Sequence, residues 1–174
     1  MDRQTYMAAV ERAKAYIAAG DVYQVNLSQR FSVPAPFEAT LLFDVLREVN
    51  PSPFGAYLRG PDWTVVSVSP ERFFLYDGAV VETRPIKGTR PRGKSPEEDD
   101  ALRRELLASA KDRAEHVMIV DLERNDLGRF CAYHTVHVPE LMVTEAHPTV
   151  WHLVSTVRGV PRTGVSPVEA VRSA

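Results

Sequence analysis

Four short stretches of the chain carry residue types that could do chemistry. In Arg84-Pro85-Ile86-Lys87-Gly88-Thr89-Arg90, a lysine sits between two arginines at the exit of a strand. Neighbouring positive charge would lower a lysine pKa and raise its neutral, nucleophilic fraction. Gly88 would let a ligand approach the backbone, and Thr89 offers an anion a hydroxyl and an N–H. A solvated basic loop has the same composition, so spacing alone leaves both readings open. In Ser69-Pro70-Glu71-Arg72-Phe73, a carboxylate interrupts an apolar stretch. Partly desolvated, Glu71 could act as a general acid; exposed, it is an ordinary turn residue. In Lys111-Asp112-Arg113-Ala114-Glu115-His116, the carboxylate of Glu115 could serve a hard cation, for which His116 is less suited. The same charges also suit the first turn of a helix. In His147-Pro148-Thr149-Val150-Trp151-His152, the last histidine lies in a segment of strong β propensity and reads equally well as a satisfied sheet residue. No His-Glu-x-x-His, P-loop or G-x-S-x-G pattern occurs.

These residues need elements to hold them. Residues 2–19 are expected to be a helix capped by Asp2 and closed by Gly20. Val25, Leu27, Phe31 and Val33 alternate with polar residues and predict a half-buried strand ended by Pro34 and Pro36. A second helix is expected over 36–49. Strands follow at 54–59, 63–69 and 72–84, the last folded into a hairpin at Asp77-Gly78. Residues 85–100, rich in Pro, Gly and charge, read as a loop. Ser95-Pro96-Glu97-Glu98 is a capping box that opens a helix to about residue 110. A further helix is expected over 111–127, closed by Gly128 and buried on most of its circumference by the run Val117–Val120, with residues 121–126 as its solvated end. Strands are expected at 133–145 and 149–160, and a last helix starts at Pro167. Strands with helices between them predict an α+β fold with largely antiparallel sheets and flanking helices.

Composition narrows the class. The 174 residues hold 21 Lys and Arg against 23 Asp and Glu, a net charge of −2, with 44% hydrophobic residues. Such balance gives no basic field for nucleic acid and no acidic tail, and the composition excludes a disordered or collagen-like chain. The single cysteine, Cys131, excludes an internal disulfide and a multi-cysteine zinc site. No run of 18 apolar residues predicts a membrane span, and no signal-peptide pattern opens the chain, so a cytoplasmic location is expected.

The four stretches, in this order, resemble the chorismate-using enzymes: anthranilate synthase component I, aminodeoxychorismate synthase component I, and the isochorismate and salicylate synthases. Also similar are Gly20-Asp21-Val22-Tyr23-Gln24-Val25-Asn26-Leu27-Ser28, Asn50-Pro51-Ser52-Pro53-Phe54 and Asp121-Leu122-Glu123-Arg124-Asn125-Asp126-Leu127-Gly128, so the likeness covers essentially the whole chain. It implies the two-sheet chorismate-binding fold, with residues 1–174 as part of that domain. Lys87 sorts the family, because the anthranilate synthases resemble this chain but carry Ala at that place. The aminodeoxychorismate synthases carry Lys. The resemblance implies amination of chorismate at C4, on the para-aminobenzoate branch of folate synthesis, with ammonia from a glutaminase subunit. It implies Glu71 as general acid, Lys87 as nucleophile, Gly88, Thr89 and His152 at the substrate, and Glu115 as a Mg²⁺ ligand. Pro53, Phe54 and Gly55 match a segment lining a tryptophan-type ligand site beside the strand Gln24–Ser28.

Family members continue beyond the position of Ala174 into glycine-rich motifs with a second Mg²⁺ carboxylate. A partial domain, inactive alone and with 150–157 as a bare strand, is therefore expected. The alternatives are anthranilate synthase component I, which puts ammonia at C2 and releases pyruvate, and a non-catalytic truncated product.

Overall fold

A computed structural model describes residues 1–34 and 36–173. The chain divides into two compact units, Met1–Glu38 and Ala39–Ala174. In the first, helix α1 (Arg3–Ala19) begins where the Asp2 carboxylate accepts the Thr5 N–H at 2.8 Å. It ends at Gly20, whose φ of +80° lets its N–H reach the Ile17 carbonyl. The expected strand at 25–33 does not form. Val25, Phe31 and Val33 are exposed, and no described strand pairs with this stretch. Alternation predicts which face would be buried, but a strand also needs a ladder partner for its N–H and C=O groups.

The second unit opens with α2 (Ala39–Val49), three residues later than expected. It lies over the antiparallel pair β1 (Phe54–Arg59) and β2 (Thr64–Ser69), with the Phe43 and Tyr57 rings 5.9 Å apart. The main sheet holds β3 (Arg72–Tyr76), β4 (Val81–Arg84), β5 (Ile86–Pro91), β6 (His137–Ala146) and β7 (Val150–Gly159). The Asp77-Gly78 hairpin joins β3 and β4 as expected. β4, β5 and β6 all pair antiparallel with β7, which is therefore the central, mostly buried strand rather than a bare edge.

Residues 86–91 are strand, not loop. β4 pairs Val81 with Gly159 and Thr83 with Val157, and β5 continues along β7 from Ile86–Val154 to Pro91–Val150. Pro85 sits at the join. It lacks an N–H, but its carbonyl accepts from Ser155 N at 3.2 Å, so the line continues through it.

Helices α3 (Pro96–Ala108), α4 (Ala110–Phe130) and α5 (Pro167–Ser173) complete the unit. Ser95 caps α3 as its sequence predicts, accepting from Glu98 N. α4 runs through Gly128 and stops at Cys131, whose N–H bonds to the Leu127 carbonyl. Only one face of α4 is buried, through His116, Val120, Leu127 and Phe130, while Val117 and Leu122 are half-exposed. Four consecutive apolar residues point round the whole helix at 100° steps, yet the sheet covers a single side. Val81, Val157, Cys131 and Ala170 complete this core.

A charged clamp fixes α3 to the sheet. Asp99 accepts from Arg92 Nε and Nη2 at 2.8 and 2.6 Å, from Gly93 N at 2.8 Å and from Trp151 Nε1 at 2.9 Å. The Arg92 guanidinium, which lies 4.5 Å over the Trp151 ring, holds the Asp99 carboxyl well below the usual carboxylate range. A lowered carboxylate pKa contributes stability above the unfolded value of about 4, lost as pH falls through the folded value. Asp99→Asn should therefore lower the urea midpoint at pH 7, and the gap from the parent should narrow at pH 3, where Asp99 takes up a proton in the unfolded chain while the folded carboxylate stays ionised. Unfolding followed by circular dichroism at both pH values checks this. An equal gap at both would exclude the charge as the cause.

Candidate active site

The register of β5 on β7 slips by one residue between Ile86 and Thr89. The extra residue makes a bulge at Lys87-Gly88, and Gly88 takes a φ of +88°, a conformation open to glycine. A Cβ there would lie 3.0 Å from Leu106 Cδ1 and 3.1 Å from Asp112 Cβ, so the bulge rests tightly on α3 and α4. Lys87 Nζ donates to the Ile86 carbonyl at 2.9 Å and lies 4.0 Å from Glu71 Oε1. That same oxygen accepts the Ile86 N–H at 2.8 Å, which ties the β2–β3 turn to the bulge. The flanking arginines do not press on the lysine as expected. Arg84 pairs with Glu145, and Arg90 with Glu105 and Asp112 at 2.7 and 3.1 Å.

On the strand opposite, Thr89 Oγ1 and His152 Nδ1 share a hydrogen bond of 2.9 Å across a direct pair. Glu145 faces His152 from β6. Burial and the nearby His147 push the His152 imidazole below its usual range, against the Gly88 carbonyl and the charges of Glu71 and Glu145. Beneath the bulge, His116 is fully buried, its Nε2 2.6 Å from Ser155 Oγ, which also accepts Met142 N at 2.9 Å. Glu71, Lys87, Gly88, Thr89 and His152 are thus drawn together.

Glu115 is not joined to that group. It is half-buried early in α4 and makes no hydrogen bond or ion pair among the described residues. Its carboxylate is the hard oxygen donor Mg²⁺ takes, but no three His, Cys, Asp or Glu side chains gather to hold a metal among the described residues. Glu115 thus fits as one ligand and falls short of a full protein site.

Sequence reasoning missed two residues. Glu123 was expected on a solvated end. It is half-buried, accepts from the Thr83 hydroxyl and is pushed up by burial. Its spacing of seven from His116 put it on the buried face and was the available signal. The other is His147, whose ring centroid is 5.0 Å from that of His152, edge to face. His147 lines a cavity of about 450 Å³ with Pro53, Phe54, Arg72, Arg84 and Glu145. Gly55 is not on that wall; its Cβ position faces the Ser52 and Ser67 carbonyls and the Phe43 ring. The supposed strand Gln24–Ser28 beside this site is irregular backbone.

An antiparallel sheet that carries a bulged lysine beside a glutamate, backed by a long helix, defines an α+β scaffold. The chain belongs to the chorismate binding enzyme family, whose description matches residues 1–174. It is 49% identical over 168 residues to aminodeoxychorismate synthase component 1 of Bacillus subtilis, covering 97% of this chain and 36% of that protein. It is 50% identical over 171 residues to anthranilate synthase component 1 of Thermus thermophilus, covering 98% and 37%. Among solved structures, anthranilate synthase component I from Streptococcus pneumoniae matches with a TM-score of 0.87 and 33% identity, over 100% of this chain and 38% of that one. The chain thus spans about a third of the curated relatives it matches. No helix among the described residues is long and apolar enough to cross a membrane.

Proposed function

We propose that the full-length protein is a cytoplasmic aminodeoxychorismate synthase component I, in which residues 1–174 are part of the chorismate-binding domain. The observation that carries this is Lys87 Nζ 4.0 Å from Glu71 Oε1 on a glycine bulge. In this reading the neutral Lys87 amine adds to the chorismate ring with an allylic shift, and the C4 hydroxyl departs as water with a proton from Glu71. Ammonia then adds at C4 and releases the lysine, and Glu71 recovers a proton from the incoming nitrogen. Hydroxide leaves badly without that proton, so the pairing of amine and acid is chemically apt. Gly88, Thr89 and His152 would meet the substrate. Glu115 would hold Mg²⁺, which when bound would anchor a substrate carboxylate. A glutaminase partner would deliver ammonia, and the cavity at Pro53 and Phe54 would take the tryptophan-type ligand.

Anthranilate synthase component I is the second reading, supported by the Thermus thermophilus relative at 50% identity. The full-length protein with chorismate, Mg²⁺ and ammonium separates the two by chromatography. Aminodeoxychorismate supports the first reading, and anthranilate with pyruvate replaces it with the second.

Glu115→Gln keeps shape and removes one charge from the first turns of α4, at a cost of only about 0.3–1 kcal/mol in helix stability. Its thermal midpoint should stay close to the parent's, while the Mg²⁺ concentration for half-maximal activity should rise at least tenfold. A Mg²⁺ titration of turnover with an unmoved midpoint would make Glu115 purely structural.

A further inference from the structure

Two irregular strands flank one stretch of β7. On β5 the slip at Lys87-Gly88 lies between the pairs Ile86–Val154 and Thr89–His152. On β6 the register also slips between Glu140 and Val143, and Met142 there takes a φ of +55°, a conformation that non-glycine residues rarely hold. The strained residue donates its N–H to Ser155 Oγ at 2.9 Å. That hydroxyl lies 2.6 Å from His116 Nε2, and both side chains are fully buried. His116 stands one turn beyond Asp112, which packs against Gly88. Its Nδ1 is buried without a full hydrogen bond among the described residues, and the backbone acceptor that acts on the ring is the Lys87 carbonyl. We propose that His116 is a positioning residue for Lys87, holding the bulge from beneath by offering its Nδ1–H to the Lys87 carbonyl.

Hydrogen accounting fixes the donor. Ser155 Oγ already accepts from Met142 N, and its own O–H has no acceptor among the described residues other than His116 Nε2. Nε2 therefore accepts, and Nδ1 of the neutral ring carries the hydrogen. A charged ring would carry one there too, so the contact does not depend on the protonation state of His116. A buried N–H without an acceptor is costly, so the ring favours the backbone conformation that brings the Lys87 carbonyl nearest. That carbonyl and the Lys87 side chain leave the same residue, and a shift of the one turns the other away from Glu71. Ile86 is pinned to Glu71 through its N–H, and the peptide after Lys87 is held by His116. The inference rests on the proposed function only for the part that Lys87 plays in amination.

The test compares two amides in the full-length protein. An Asn amide can replace Nδ1 and a Gln amide Nε2, so His116→Asn keeps a donor for the Lys87 carbonyl and His116→Gln keeps only the partner of Ser155. His116→Gln should lower kcat for chorismate amination by roughly 10²-fold, the cost of about 1 Å of misplacement, with KM little changed. His116→Asn should recover most of that rate although it gives up the Ser155 bond. Equal losses in both, or Gln outperforming Asn, would overturn the proposal, because a merely structural histidine does not distinguish its nitrogens in this way. Two readouts need no turnover. Long-range proton–nitrogen NMR of the wild type should show His116 with hydrogen on Nδ1. Hydrogen on Nε2 alone would overturn the proposal, and this measurement decides it if neither variant folds. Acetylation of Lys87, read by mass spectrometry, should be faster in His116→Gln than in the parent and unchanged in His116→Asn, since Nζ released from the Ile86 carbonyl is better exposed. Unchanged labelling of the Gln variant would also overturn it. A parent that passes both of these tests but does not aminate chorismate would retain the positioning role and discard the proposed function.

Discussion

Lys87→Ala in the full-length protein should lower C4 amination of chorismate by roughly 10²–10⁴-fold, the range for a positioned group that handles a reacting proton or bond. The loss should be kinetic. Lys87 is part-exposed and donates to its neighbouring carbonyl, and its head is 4.0 Å from Glu71, so the ion pair contributes about 0–1 kcal/mol to folding. Lys87→Arg sharpens the test, because a guanidinium keeps the positive charge but stays protonated and cannot attack the ring. If the amine is the nucleophile, Arg fails as fully as Ala. If Arg restores most of the rate, the lysine acts only as a cation and the covalent route is wrong. Product chromatography also shows whether the Ala variant sends ammonia to C2, which would make Lys87 the switch between two aminations.

Helix caps and turn signals were legible because they are local. Asp2, Ser95 and Asp77-Gly78 each act through residues two to four positions away. Strand identity was not, because a strand is made by its partner. Val25–Val33 alternates well and has no ladder, whereas Ile86–Pro91 looks like a loop and pairs along β7. The composition that hid β5 has physical uses: Pro85 joins two strands, Gly88 makes the bulge, and Arg90 and Arg92 reach acids on α3 and α4. The site residues drew notice singly, as residue types. Their convergence was out of reach, since it depends on a one-residue slip that turns Lys87 towards Glu71. Seven-residue spacing could have placed Glu123 beside His116, but the acidic and basic residues around it read as solvent-facing.

Gly88→Ala should destabilise the fold by about 2–5 kcal/mol and carry activity down with it. Two costs combine. A non-glycine residue in the left-handed region costs roughly 1–2 kcal/mol, and Gly88 has a φ of +88°. The new methyl would also meet Leu106 Cδ1 at 3.0 Å and Asp112 Cβ at 3.1 Å. Neither neighbour yields easily, because Leu106 is fully buried and Asp112 is held by Ser109 and Arg90. Overpacking of this kind costs about 1–3 kcal/mol. Gly78 supplies the control within the same chain. Its φ is +94°, but nothing lies within 4 Å of its Cβ position. Gly78→Ala therefore carries the backbone cost alone, about 1–2 kcal/mol, and the difference between the variants isolates the packing of the bulge on α3 and α4. Urea unfolding of both gives that difference, and turnover at a pH and temperature where both remain folded gives its consequence. If β5 shifts to admit the methyl, Lys87 leaves its place beside Glu71, so Gly88→Ala should lose rate in the folded state while Gly78→Ala does not. Equal stability losses would mean that the bulge has room beneath it. Equal turnover would mean that the register slip at Lys87-Gly88 does not set the geometry of the reaction.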